Sequence, residues 1–250
     1  MKISKGLKNE LAIIKAINGR TYDELSNNMK NLVDAIYDNI DPHSRFYAEK
    51  CDPRGKPDIM ITLDGEVHFI SVKTGQAEAV HAEDIEKFIL FLREHGVSMR
   101  TQKTIVYFQY GDGTLNGSGP VRWNYEELLS RISNFIQDAN EELNKNKQLI
   151  LDAFDRFVFK GNFKDLPEAD YIYHGNPDYG CICSKKQIIK HIQRRNWKYM
   201  RNLHIGPLQF RPYARFTEFQ DTHPEKRFIV NIKWVGMGPD LDYISDRYNG

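Results

Sequence analysis

The sequence predicts a mixed α/β fold, a central sheet flanked by helices, with an α+β extension at its C-terminal end. Three observations lead there. Over the first 110 residues, helical and strand patterns follow one another as helix, three strands, helix, strand. Asp64–Gly65 sits between two segments of strand character, KPDIMITL and EVHFISVK, the strongest short-range signal for a hairpin. The chain has 250 residues, 40% of them hydrophobic and 28% charged, enough for one large domain or two small ones with a sizeable core.

Taken in order, Leu7, Leu11 and Ile14 fall at helical spacing, and Asn18–Gly19 ends that helix. Thr21 followed by Glu24 has the form of a capping box, opening a second helix to about Asn39, which Asp41–Pro42 breaks. SRFYAEK and the two arms of the hairpin supply three strands. From Ala82 to Glu94 the apolar residues Ile85, Phe88, Ile89 and Leu92 mark a helix, with Gly96 as its stop. TIVYFQY reads as a buried strand and GDGTLNGSGP as a loop. Asn124 caps a helix from Tyr125 to about Asn140, and a further helical run covers Lys145 to Phe159. Strands are expected at ADYIYHG, GCICS, LHIGPLQF and FIVNIKW, and a helix from Lys185 to about Arg195. The order divides the chain into a core at 1–123 and a helical connection with an α+β region at 124–250, with one continuous domain as the alternative.

Several classes are excluded. No apolar run approaches a membrane span, and the charged start MKISKGLKNELAIIKAING lacks the form of a signal peptide. The expected location is cytoplasmic. Three cysteines, Cys51, Cys181 and Cys183, do not make a disulfide framework. Cys181 and Cys183 are closer than the usual zinc pair, even with His191 and His204 nearby, and are expected as buried or half-buried strand cysteines.

The hairpin carries the chemistry. With Asp64–Gly65 as a two-residue turn, Leu63 faces Glu66, and counting outward sets Asp58 opposite Ser71. Lys73 shares the face of Ser71, because side chains alternate along a strand. A carboxylate is a hard oxygen ligand for Mg²⁺. An ammonium beside it can stabilise phosphate charge or orient a water, and the pair suits metal-assisted phosphodiester hydrolysis. One carboxylate is a thin ligand set, so a second acid is required.

Pro57–Asp58, a hairpin and Ser71–Val72–Lys73, in this order of elements, resemble the PD-(D/E)xK nuclease superfamily, which includes many type II restriction endonucleases. The resemblance covers less than half of the chain and implies a restriction-endonuclease-like core. It implies that Asp58 and the Val72 carbonyl ligate Mg²⁺ and that Lys73 positions the attacking water. Ser71 stands where that family usually has Asp or Glu, and in some members with SxK the following helix supplies the acid. Among Glu78, Glu83 and Glu86, Glu83 is favoured and Glu86 is the alternative. Glu10 resembles the acid carried on the family's first helix. His81, beside Glu83, is read first as a local packing or capping residue.

Between Tyr179 and Thr217 there is no acid, while Lys185, Lys186, Lys190, Arg194, Arg195, Lys198, Arg201, Arg211 and Arg215 all fall there. Such a charge asymmetry points to a surface for nucleic acid. The expected activity is a Mg²⁺-dependent endonuclease acting on double-stranded DNA as a homodimer. Two alternatives stay open: a nuclease-fold protein that binds nucleic acid without cutting it, and a repair, phage or RNA-directed nuclease with the same site.

Overall fold

A computed structural model describes residues 4–75, 78–197, 202–212 and 223–249. In chain order it forms α1 (Lys5–Ile17), α2 (Asn27–Asp34), β1 (Tyr47–Lys50), β2 (Ile59–Leu63), β3 (Glu66–Lys73) and β4 (Ala79–Asp84). Then come α3 (Ile85–Glu94), α4 (Met99–Tyr110), α5 (Tyr125–Lys145), α6 (Lys147–Phe154), β5 (Tyr171–Gly175), β6 (Gly180–Ser184) and α7 (Lys185–Arg194). The last are β7 (His204–Ile205), β8 (Leu208–Pro212), β9 (Ile229–Trp234) and α8 (Met237–Asn249). The fold is mixed α/β, as expected.

The chain makes two compact units. The first takes Met1–Glu78, Phe154–Arg194 and Gly236–Gly250, and the second takes Ala79–Ala153 and Arg195–Val235. Each unit uses segments from both sides of position 124.

The first unit is built on a sheet in the order β1-β2-β3-β5-β6. Its pairs are antiparallel except β3–β5, which is parallel, so the sheet is mixed. One face buries Ile59, Ile61, Leu63, Ile70, Val72, Tyr173 and Ile182 against Ile13 and Ile17 of α1 and Met29, Leu32 and Val33 of α2. Period-two alternation puts Ser71, Lys73, Ile172, His174, Cys181 and Cys183 on the other face. Helix α8 packs on β6 there, and α7 packs on α8. The hairpin has the expected register, with Leu63 opposite Glu66 and Ile59 opposite Ile70. Asp64 and Gly65 take φ of 49° and 88°, the positive pair that a tight I′ turn requires.

The second unit has an antiparallel sheet in the order β4-β9-β8-β7. Helices α3, α4 and α5 belong to this unit. Phe88 of α3 meets Phe210 of β8 edge to face, with ring centroids 4.7 Å apart.

Four expectations are corrected. TIVYFQY lies in helix α4, not in a strand. Its β-branched run has strand character, but Ser98 caps the segment by accepting from Thr101 N at 3.3 Å, and Gly111 ends it at φ 60°. Thr101, Ile105 and Phe108 are then buried along one side of the helix. The helix expected from Ala82 starts at Ile85, because residues 79–84 pair with β9 as β4. The stretch after Thr21 is a short 3₁₀ turn and then α2, which ends at Asp34, though the capping box forms, with Glu24 accepting from Thr21 N at 2.8 Å. On α1, Leu7 and Leu11 are exposed and Ile13 and Ile17 are buried. The inward stripe therefore runs through Ile13 and Ile17, with Glu10 one turn earlier beside it.

Candidate active site

The Asp58 backbone is pinned on both sides. Its N–H donates to the Ile70 carbonyl at 2.9 Å, and its own carbonyl accepts from Cys51 N at 3.2 Å. This holds Asp58 just ahead of β2, whose first pair with β3 is Ile59 opposite Ile70. One carboxylate oxygen, Oδ2, accepts from Ser71 Oγ at 3.1 Å and from Val72 N at 2.7 Å. Lys73 Nζ lies 3.6 Å from the same oxygen. Both charged side chains are partly exposed, at 27% for Asp58 and 22% for Lys73, so the pair is open to a solvent-borne ligand.

All three contacts converge on Oδ2 and leave Oδ1 outside them. A strand residue that exchanges hydrogen bonds with a neighbour turns its N–H and C=O to the same edge. The Val72 carbonyl therefore faces the edge from which Asp58 reaches in. A part-exposed carboxylate and a backbone carbonyl on one edge are hard oxygen donors. They fit Mg²⁺, which takes one or two carboxylates and keeps several waters. Ser71 is buried and gives its hydroxyl to Asp58, so it orients this carboxylate rather than adding a second.

The other expected acids fall as follows. Glu10 forms an ion pair with Lys50. Lys50 is opposite Ile59, so that pair stands on the α1 face of the sheet, while Asp58 and Lys73 stand on the other. Glu78 Oε1 accepts from Gly236 N at 2.9 Å. Glu83 lies on β4 of the second unit, opposite Val230, with its carboxylate wholly buried 3.6 Å from His81 Nε2. Glu86 is exposed in the first turn of α3.

Of the basic residues, Lys198, Arg201 and Arg215 lie outside the described residues. Lys185 is tied within the first unit, its Nζ 2.5 Å from Asp155 and 2.6 Å from Glu168. Lys160 joins Asp155 at 2.5 Å. Burial alone would push the Asp155 carboxyl up, but its hydrogen bonds and charge contacts with Lys160 and Lys185 outweigh this and hold it below its ordinary value. A depressed acid stabilises the fold above its unfolded pKa of about 4, and that stability is lost as pH falls through the lower folded value. Lys185 and Lys160 are shifted upward: burial lowers Lys185, but its carboxylates more than offset this, and the Asp155 hydrogen bond raises Lys160. Their contribution is present below about pH 10 and is lost as pH rises through the higher folded values. Lys185→Met is therefore expected to lower stability by roughly 1–3 kcal/mol near neutral pH. Thermal melts should show the deficit shrinking below about pH 4, and a deficit unchanged in acid would contradict this account.

Lys186, Lys190 and Arg194 form an exposed stripe on α7, at i, i+4 and i+8, opposite the buried Ile188 and Ile192. Lys190 Nζ sits 5.1 Å from the centre of the Tyr248 ring, and Arg194 Nη1 donates to Tyr248 Oη at 3.3 Å. Arg195 and Arg211 are exposed in the second unit. Arg195 stacks on Trp197 at 4.7 Å, and Arg211 Nε donates to Gln209 at 2.7 Å.

Sequence reasoning missed His174. It is the β5 partner of Lys73, on the same face of the sheet. ADYIYHG has the character of a strand, but nothing in its pattern says that it pairs parallel to β3.

No family model matches the chain, and no curated protein matches it. Among solved structures it is similar to the restriction endonuclease MspI in complex with its cognate DNA. The identity is 13%, the TM-score is 0.48, and the match covers 91% of this chain and 88% of that one. No helix among the described residues is long and apolar enough to cross a membrane.

Proposed function

We propose that the protein is a Mg²⁺-dependent endonuclease that hydrolyses phosphodiesters in double-stranded DNA, of restriction type and acting as a homodimer. The observation that carries this reading is the convergence of Ser71 Oγ, Val72 N–H and Lys73 Nζ on one oxygen of Asp58. In a hydrolase these groups divide the work. Asp58 and the Val72 carbonyl would hold the metal, which supplies Lewis-acid stabilisation of phosphate charge and an acidified water. Ser71 and the Val72 N–H fix the carboxylate's rotamer. Lys73 orients the attacking water and faces the anionic phosphate. The homodimer follows from the need to cut both strands.

The test is digestion of plasmid DNA with Mg²⁺, followed by sequencing of the ends. Discrete fragments with common ends are expected. Parallel digests of single-stranded DNA and RNA should be slower, and preference for either would move the reading to a repair or RNA-directed nuclease. Binding of duplex DNA with no cleavage of any substrate would favour the non-cutting alternative that Ser71 raises.

The second acid has its own test. Glu83 is the first choice, as the acid that the sequence favours for the place Ser71 leaves without a carboxylate. Glu86 is the alternative. Glu83→Gln is expected to lower cleavage on the order of a hundredfold and to raise the Mg²⁺ requirement, and Glu86→Gln is expected to leave both intact. Full activity in both variants would remove the idea that a later carboxylate replaces the acid missing at Ser71.

A further inference from the structure

Beside the strand that ends in Lys73, the first unit gathers a different set of donors. His174 of β5 and Cys181 of β6 are directly opposite each other and therefore share a face. Helix α8 crosses that face and brings Asp242, whose Oδ1 lies 3.3 Å from Cys181 Sγ. One ring nitrogen of His174, one oxygen of Asp242 and the Cys181 sulfur all lie within 4.8 Å of one another. The three residues come from separate stretches of chain. Cys181 forms no disulfide.

We propose that His174, Cys181 and Asp242 bind a zinc ion, separate from the Mg²⁺ site assigned to Asp58. The donor set decides the metal. Thiolate and imidazole select zinc over magnesium, and a carboxylate is a common third ligand. Zinc bonds of about 2.0–2.3 Å to oxygen and sulfur give a tetrahedral edge of about 3.5 Å, close to the observed contact between Cys181 and Asp242. The surroundings fit a ligating histidine as well. His174 Nε2 lies 3.0 Å from the Gly75 carbonyl. Donation there leaves Nδ1 with the free lone pair, the arrangement in which a metal-bound imidazole gives its other N–H to a backbone carbonyl. Helix α8 also closes over the ring, because a Cβ added at Gly238 would lie 3.1 Å from His174 Cε1. A water would complete the zinc ligands. Cys183 lies on the same face, but its thiol donates to the Leu241 carbonyl at 3.3 Å.

The consequence is a tie between elements. The ion would join α8 to β5 and β6, and through the Gly75 carbonyl it would brace the chain two residues past Lys73. This inference concerns metal binding alone and does not rest on the nuclease reading.

The experiment uses the full chain purified without chelator. Its zinc content is measured, and Co²⁺ is then exchanged in. About one zinc per chain and a thiolate-to-cobalt charge-transfer absorption are expected. Cys181→Ser should lose that absorption, and Asp242→Asn should weaken zinc affinity by about 10–100-fold. Asp58→Ala and Cys51→Ser should change neither. A wild-type protein that takes up no zinc would overturn the proposal. So would a cobalt–thiolate band that survives Cys181→Ser, or metal lost with Asp58→Ala. If Cys181→Ser does not fold, by circular dichroism, the exposed Asp242 still decides the matter, since unchanged zinc affinity in Asp242→Asn would also refute it.

Discussion

Lys73→Ala is expected to reduce Mg²⁺-dependent cleavage of duplex DNA by on the order of 10²–10³-fold, with DNA affinity and folding preserved. The side chain sits at the end of β3, and its ammonium has one described carboxylate neighbour, Asp58 at 3.6 Å. Its removal takes away a charge and leaves the strand's hydrogen bonds in place. Lys73 is part-exposed and outside the apolar core, so no large cavity opens. The loss should fall on turnover rather than on binding, because an interaction made mainly in the transition state lowers kcat. Asp58→Asn is the companion variant. It preserves the shape of the side chain and an acceptor for Val72 N–H but removes the negative charge. Its loss of activity should be as large, with part of it recovered at high Mg²⁺. Unimpaired cleavage by purified Lys73→Ala would end the mechanism, whatever the fold.

How far the sequence reached is explained by the range of each signal. The hairpin was legible to the residue because its information is local: an Asp-Gly pair that accepts positive φ, and arms whose apolar residues alternate. The register runs as counted to Ile59 and Ile70, and the Asp58 carboxylate meets Ser71 and Lys73 beyond it. TIVYFQY has the β-branched composition of a strand, yet it is helical because Ser98 and Gly111 cap the two ends of its segment. Two sheets rather than one, and the parallel pairing of β3 with β5, depend on contacts across about a hundred residues of chain, which no window of sequence records. The cysteines show the same limit. His191 and His204 were their nearest histidines in one direction along the chain, but the fold sets Cys181 beside His174 and Asp242. His191 turns to Asp240, 3.9 Å away, and His204 binds the Gly206 carbonyl in the second unit. The acid-free stretch of sequence is likewise not an acid-free surface. Helix α8 packs on α7 and carries Asp240, Asp242 and Asp246, and Asp155 and Glu168 neutralise Lys185.

On the proposed function, that redistribution sharpens where DNA should touch. Replacing Lys186, Lys190 and Arg194 together with Gln is expected to weaken duplex binding strongly at low salt and to flatten its salt dependence. Four helical residues rise about 6 Å, so the three cations make a row along the exposed side of α7 rather than a cluster at one point. Each phosphate neutralised releases counterions and contributes about 0.9 to the slope of log K against log salt, so the triple variant should lose up to about 2.7 of it. Its affinity should approach that of the wild type as salt rises, because the lost term is electrostatic. Tyr248 limits how freely two of the three move, since Lys190 packs over its ring and Arg194 donates to its hydroxyl. The row is thus partly ordered in the free protein, which reduces the entropy cost of fixing it on any polyanion. Lys185 is the control within the same helix. Its charge is already met by two carboxylates, so Lys185→Met, measured well below its melting temperature, should leave the salt slope unchanged. If the triple variant keeps the wild-type slope while Lys185→Met alters it, the binding face is not this stripe, and Arg195 and Arg211 of the second unit become the residues to replace.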